Sequence, residues 1–187
     1  AQDYDALLQQ GIRLSGENKA FFIQGRIRDL GGQLPPEVQP RRILDFGCGI
    51  GDTAPFLADR FPQATVTGFD TCAPALAYAR QHHEKNRVSF CDWDALMHSA
   101  PFDLCYCNGV FHHIPPDQRA EAIAQIYRVL EPGGHFALFE NNPFNPGTHI
   151  VMRRIPFDRD AQTLTPGNTR RLLQAGGFAI PTPPRFL

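Results

Sequence analysis

The stretch Ile43-Leu44-Asp45-Phe46-Gly47-Cys48-Gly49-Ile50-Gly51-Asp52 decides how this chain is read. It begins as an apolar strand carrying one acid, passes through glycine at every second position from 47 to 51, and leads into a helical pattern at Thr53. Glycine tolerates positive φ and lets a ligand approach the backbone, and a helix that starts beside such a turn presents N–H groups without intrahelical partners. A strand, a glycine turn and a helix in that order suit a nucleotide-like ligand. Asp45 within the strand either holds a cationic ammonium or organises the turn. The next apolar run, Thr65 to Phe69, ends in Asp70, nineteen residues after Gly51. A carboxylate at that distance accepts both hydroxyls of a ribose, unless it caps the helix that begins near Pro74. Dinucleotide enzymes share this logic, but their glycine spacing is GxGxxG whereas this one is GxGxG behind an acid.

Working outward, short apolar runs alternate with helical patterns, which is the signature of a parallel sheet covered by helices. Strands are expected at Arg42 to Phe46, Thr65 to Phe69, Val88 to Cys91, Leu104 to Cys107 and His135 to Glu140. Helices are expected at Thr53 to Phe61, Pro74 to Lys85 and Asp117 to Leu130, the last stopped by Glu131-Pro132-Gly133-Gly134. Residues 1–34 read as one or two helices ahead of the sheet, with Pro35-Pro36 and Pro40 marking the linker. Phe21, Phe22 and Arg26 lie on an amphipathic stretch that either closes over a ligand or simply packs. Residues 141–166, rich in Pro, Asn and Arg, read as a long substrate-side excursion, and Asn168 to Ala175 as a helix followed by a strand start at Phe178 to Ile180.

Composition narrows the function. The chain has 187 residues, 42% hydrophobic and 20% charged, which is one ordinary globular domain by length and makeup. Eighteen basic and nineteen acidic residues leave a net charge of −1 with no basic block, so nucleic acid is a poor partner. The five cysteines lack CxxC pairs or zinc spacing, so no metal site and no disulfide framework are expected. Cys105 and Cys107 fall on one side of a strand, where cysteine behaves as a small hydrophobe. Lacking an apolar run of membrane-spanning length and a signal-like N-terminus, the sequence is assigned to the cytoplasm.

With these motifs in hand, the sequence resembles the class I S-adenosylmethionine-dependent methyltransferases of small-molecule type from Arg41 to Phe178. DFGCGIGD is similar to their first motif, Asp70 to their ribose acid, SFCDWDAL to their adenine segment, FDLCYCNGVFHHI to their fourth motif, and RVLEPGGHFALFE to the fifth strand and its entry. The resemblance implies an α/β Rossmann-like, doubly wound, mostly parallel sheet with helices on both faces. The family usually completes its sheet with two further strands, whereas this sequence stops at Leu187; either those strands lie outside it or the edge is supplied some other way, since an exposed edge would otherwise invite association.

It also implies S-adenosyl-L-methionine as cofactor, with S-adenosyl-L-homocysteine as product. Asp45, Gly47 and Gly49 would shape the methionine side. Backbone groups near Cys48 and Asn108 would meet the amine and carboxylate, and Asp70 would bind the ribose. Asp92 and Trp93 would enclose adenine, Trp93 otherwise being a partly exposed loop aromatic, and Phe111 would sit near the sulfonium. Asp94 reads as a helix cap.

For a hydroxyl or amine acceptor a proton must leave, and His112, His113 and Glu140 are the catalytic candidates, a histidine being suited to receive a proton near neutral pH. The histidine pair alternatively orients the turn, and Glu140 alternatively pairs with Arg153 or Arg154. Asn142, His149 and Arg153 are further pocket candidates. The preferred partner is a small metabolite acceptor, a secondary metabolite, sugar or lipid-like precursor. A cofactor-binding regulator without catalysis, or a nicotinamide-dependent oxidoreductase, are the alternatives. The oligomeric state, monomer or homodimer, is not encoded in any motif.

Overall fold

A computed structural model describes residues 19–99, 101–147, 152 and 161–181. The chain divides into two compact units. One runs to Asn108 and takes in Val129–Leu138, and the other comprises Gly109–Arg128 together with the described residues from Phe139 onward.

In the first unit, helix α1 (Lys19–Gln33) buries Ile23, Ile27 and Leu30, residues at helical spacing, against α2 (Thr53–Arg60). Strands β1 (Arg42–Phe46), β2 (Thr65–Phe69), β3 (Val88–Cys91) and β4 (Phe102–Asn108) form a sheet with β5 (Leu130–Phe139) in the order β3-β2-β1-β4-β5. Pairing is parallel between β1 and β2, β2 and β3, and β1 and β4, so each return needs a crossover, supplied by α2, α3 (Ala73–His83) and α4 (Trp93–Met97). The central strands β1 and β4 read as near-continuous apolar runs because both their faces are covered. Ile43, Leu44, Val66, Leu104, Cys105 and Cys107 have no exposed surface, as the strand reading of the cysteines requires. This is the expected Rossmann-like α/β architecture.

Strand order reverses direction at β1, so the carboxyl ends of β1 and β4 lie at the switch point, where open parallel sheets bind ligands. Arg87 locks the opposite end of α2. Its guanidinium donates to the carbonyls of Ala58, Phe61 and Ala64 at 2.9, 3.2 and 2.8 Å.

The structure shifts several boundaries. β4 is longer than expected. β5 starts at Leu130 immediately after α5 (Arg119–Val129), because Gly133 at φ 84° lets the backbone turn through the Glu-Pro-Gly-Gly segment without leaving the strand. At Gly134 the chain passes so near the start of β4 that a Cβ would lie 3.3 Å from the Phe102 carbonyl. Glu140 therefore lies just beyond β5. In the second unit, α6 (Pro166–Ala175) starts two residues early, with Thr165 Oγ accepting from the Asn168 N–H at 3.3 Å and Pro166 suited to the first turn. Residues 178–180 do not form the expected strand. After Gly176-Gly177 the Phe178 ring packs edge-on against Tyr127 at 5.2 Å, which holds the segment to α5.

Candidate functional site

The turn after β1 is built as its glycines require. Gly47, Gly49 and Gly51 adopt φ of 75°, 55° and 84°, a region unfavourable to side chains. At Gly51 space is closed as well, since a Cβ would lie 2.7 Å from the Phe90 ring and 2.8 Å from Ala79. Gly68 in β2, which the sequence reading passed over, has the same function: its Cβ would come 2.5 Å from Phe90 and 3.0 Å from Cys48 Sγ.

Four amides of this turn, those of Gly47, Cys48, Gly49 and Gly51, are bonded internally. The Phe69 carbonyl accepts from the N–H groups of Gly47 and Cys48 at 2.8 and 2.9 Å, and the Cys48 carbonyl from Gly51 at 2.9 Å. Gly49 N–H donates to Asp70 Oδ2 at 2.7 Å, while Asp70 Oδ1 accepts from Cys72 N–H at 2.8 Å ahead of α3. Asp70 thus staples the glycine turn to the end of β2, a role the sequence did not suggest. A turn that cradles pyrophosphate keeps its N–H groups for the anion. This one has the N–H groups of Gly47, Cys48, Gly49 and Gly51 bonded within the protein and presents carboxylates instead.

Asp45 is the second of those carboxylates. It lies in β1 between Gly68 of β2 and Tyr106 of β4, is only 3% exposed, and its Oδ2 accepts no hydrogen bond. Burial, and secondarily the charge of Asp70, push its carboxyl up to about 7. A buried carboxyl oxygen without a partner, beside a second acid, fits a cation and repels an anion. S-adenosylmethionine carries both an ammonium and a sulfonium, whereas a nicotinamide dinucleotide carries an anionic pyrophosphate, so these residues fit the former.

The segment that the sequence reading expects to enclose adenine follows β3. Asp92, and not Asp94, is the cap of α4, its side chain accepting from Ala95 N–H at 3.1 Å. Asp94 lies in the first turn, where an acid suits the helix dipole, and its carbonyl is bonded to His98 Nδ1 at 2.7 Å. Trp93 opens this helix half-buried, with its ring edge-on to Phe69 at 5.6 Å. Asn108 ends β4 half-buried. At the far end of the glycine turn, Asp52 pairs with Lys19 of α1 and with His83 Nε2 at 3.2 Å, tying the first residue of α1 to the turn. Phe21 is 55% exposed and edge-on to Phe22.

The second unit holds the histidines. Gly109, at φ 69°, donates to the Phe139 carbonyl at 2.9 Å. Glu140 then receives three hydrogen bonds: Oε1 from the N–H groups of Val110 and Phe111 at 3.0 and 2.7 Å, and Oε2 from His112 Nδ1 at 2.7 Å. His112 is buried and its carbonyl accepts from Gln162 N–H at 2.9 Å, while His113 is exposed with its ring 4.1 Å from that of His112. The structure therefore brings His112 and Glu140 together, with the exposed His113 ring tilted against that of His112. Phe111 is fully buried. Asn142 Oδ1 accepts from Phe144 N–H at 2.9 Å in a local turn. His149, Arg153 and Arg154 lie outside the described residues. Arg119, which sequence reasoning missed, bonds through its guanidinium to the carbonyls of Ile114 and Gln162 at 2.9 and 2.6 Å.

Comparison with known proteins agrees. Residues 43–134 match the model of a methyltransferase domain family. The chain is 34% identical over 133 residues to trans-aconitate 2-methyltransferase of Rhodopseudomonas palustris strain BisB18, covering 70% of this chain and 50% of that protein. It is 36% identical over 131 residues to demethylmenaquinone methyltransferase of Thermus thermophilus, covering 67% and 59%. The chain thus spans about half the length of the curated relatives it matches. In fold it resembles a SAM-dependent methyltransferase from Archaeoglobus fulgidus, with a TM-score of 0.65 at 19% identity over 84% of this chain and 68% of that one. With an acidic, internally bonded glycine turn at the switch point of a 3-2-1-4-5 sheet and these relatives, the chain belongs to the class I S-adenosylmethionine-dependent methyltransferases.

Proposed function

We propose that the chain transfers the methyl group of S-adenosylmethionine to a hydroxyl or amine of a small metabolite, with His112 receiving the acceptor's proton. The observation that carries the acceptor class is the His112 to Glu140 hydrogen bond: it engages Nδ1 with a carboxylate, an arrangement that suits the ring to receive a proton on Nε2. A carboxylate acceptor would have no proton to lose and would need no such group.

Bound, the cofactor supplies a methyl group made electrophilic by the sulfonium. The chain's own residues do the rest. Asp45 answers the ammonium, with the backbone of Gly47, Cys48 and Gly49 and the end of β4 at Asn108 shaping the methionine side. Asp70, already fixed by Gly49 and Cys72, offers its carboxylate to the ribose hydroxyls. Asp92 and Trp93 enclose the adenine. Phe111, fully buried, supports the turn that carries His112 rather than offering a free face. Alignment supplies most of the acceleration in a reaction of this kind, and a base adds about 10²- to 10⁴-fold.

Among the described residues no helix is long and apolar enough to cross a membrane. The cysteines Cys48, Cys72, Cys91, Cys105 and Cys107 form no disulfide with one another.

The test is turnover by the purified chain of labelled S-adenosylmethionine against panels of small alcohols, amines and carboxylic acids, with formation of S-adenosylhomocysteine as readout. The reading predicts methylated alcohols or amines and a fall of about 10²-fold in kcat for His112→Ala. Turnover confined to carboxylic acids, as the trans-aconitate enzymes' name would suggest, or full activity of the variant, would overturn it.

A further inference from the structure

Arg119 opens α5 half-buried, and its guanidinium joins two carbonyls from distant segments. Nε donates to the Ile114 carbonyl at 2.9 Å, and Nη2 to that of Gln162, 43 residues further on, at 2.6 Å. Ile114 closes the turn after β4, its N–H donating to the Phe111 carbonyl at 3.2 Å. Gln162 is held through both of its backbone groups: its N–H donates to the His112 carbonyl at 2.9 Å, and its carbonyl accepts from Arg119. Two residues later Leu164 is buried, and Thr165 caps α6. The chain therefore meets the His112 turn at an exposed residue, with a charged fork on one side of it and His112 on the other.

Of the two contacts at Gln162, the one to Arg119 is the stronger. A hydrogen bond from a charged donor is roughly twice as strong as a neutral one, and a guanidinium offers its donors in a fixed plane that a single stem carries to both carbonyls. Burial lowers the Arg119 pKa and the charge of Glu140 opposes that, and an arginine in this position keeps its proton.

We infer that Arg119 is a positioning residue for the acceptor side: by fixing the Gln162 carbonyl it keeps the Gln162 N–H on the His112 carbonyl, and so sets the backbone from which the His112 ring projects. Glu140 engages His112 through its ring, whereas Arg119 acts on its main chain through Gln162. The inference rests on the proton-accepting reading of His112 only for its effect on turnover. Asp45, Asp70, Asp92 and Trp93, the residues proposed for the cofactor, belong to the first compact unit, while Arg119, His112 and Gln162 belong to the second. Loss of the clamp should therefore fall on methyl transfer and leave cofactor affinity as it was.

Arg119→Met keeps an unbranched stem and removes the donors. Amide hydrogen exchange followed residue by residue by NMR tests it without any acceptor. Expected is exchange at Gln162 faster by about tenfold or more, the loss of one charge-assisted bond, while Val110 and Phe111, whose N–H groups end on Glu140, exchange as in the parent. Calorimetry should give a Kd for S-adenosylmethionine within about twofold of the parent, and kcat with an alcohol or amine acceptor should fall about tenfold or more. Unchanged exchange at Gln162, equal acceleration at all three amides, weakened cofactor binding, or parental kcat beside a loosened Gln162 would each overturn the inference. If Arg119→Met fails to fold, Arg119→Lys, which keeps the charge but not the planar fork, is read by the same criteria. If the parent turns over no alcohol or amine, the exchange pattern and the cofactor Kd decide the inference, and it is the proton-accepting reading that falls.

Discussion

Replacing Asp45 by Asn should strengthen the ligand-free fold and weaken cofactor binding. Asp45 is almost fully buried with one oxygen unpartnered, and burial together with Asp70 raises its carboxyl from 3.8 to about 7. Since the folded state binds this proton more tightly than the unfolded chain, the stabilisation is complete below pH 3.8 and is lost as pH rises through about 7. At about 1.4 kcal/mol for each of roughly three pKa units, the ionised carboxylate costs about 4 kcal/mol above neutrality. Asn has nearly the same shape and no charge to bury. Thermal melts from pH 5 to 8 should show the variant gaining on the parent as pH rises, by ~8–16 °C at pH 8 at about 2–4 °C per kcal/mol. S-adenosylmethionine should reverse the order, because its ammonium is answered only by the ionised parent, whose affinity should rise as pH climbs towards 7. A variant less stable than the parent at pH 8, or a difference that does not change with pH, would refute the reasoning.

Three further outcomes follow from the same geometry. Gly51→Ala combines a φ of 84° with a Cβ 2.7 Å from Phe90, so strain of about 1–2 kcal/mol and overpacking of about 1–3 should together lower the melting temperature by ~4–20 °C. Arg87→Met keeps the aliphatic stem but loses three bonds to carbonyls of the α2 end, and denaturant titration should show a loss of about 2–3 kcal/mol at unchanged m-value. Trp93 is the chain's one tryptophan, so its fluorescence should change on cofactor addition; Trp93→Ala should weaken binding about tenfold, within the ~1–3 kcal/mol of an aromatic–base stack, and Trp93→Phe should recover part of it.

The glycine turn was legible because only glycine fits positive φ, and the parallel sheet because both-face burial makes apolar runs that alternate with helical spacing. What the sequence concealed were contacts between distant segments. Nothing local to Asp70 says that it staples Gly49, twenty-one residues away, and nothing local to Gly68 reveals the Phe90 ring against it. The acids of the adenine segment were read with the wrong one as cap, because Asp92 and Asp94 both precede helix formers and only the backbone geometry separates them. Glu140 and His112 were each singled out, but their pairing joins residues 28 apart through the folded turn. The strand expected at 178–180 failed because apolar alternation cannot distinguish a β-strand from an aromatic that caps a helix end by packing on Tyr127.

The central claim is that the acidic turn after β1 holds S-adenosylmethionine. Its most direct test is calorimetric titration of the purified chain with S-adenosylmethionine, S-adenosylhomocysteine and NAD, repeated with Asp70→Ala. Binding of both adenosyl ligands, weakened by the substitution and undetectable for NAD, is the predicted result; binding of NAD alone, or adenosyl binding unaffected by loss of Asp70, would contradict it.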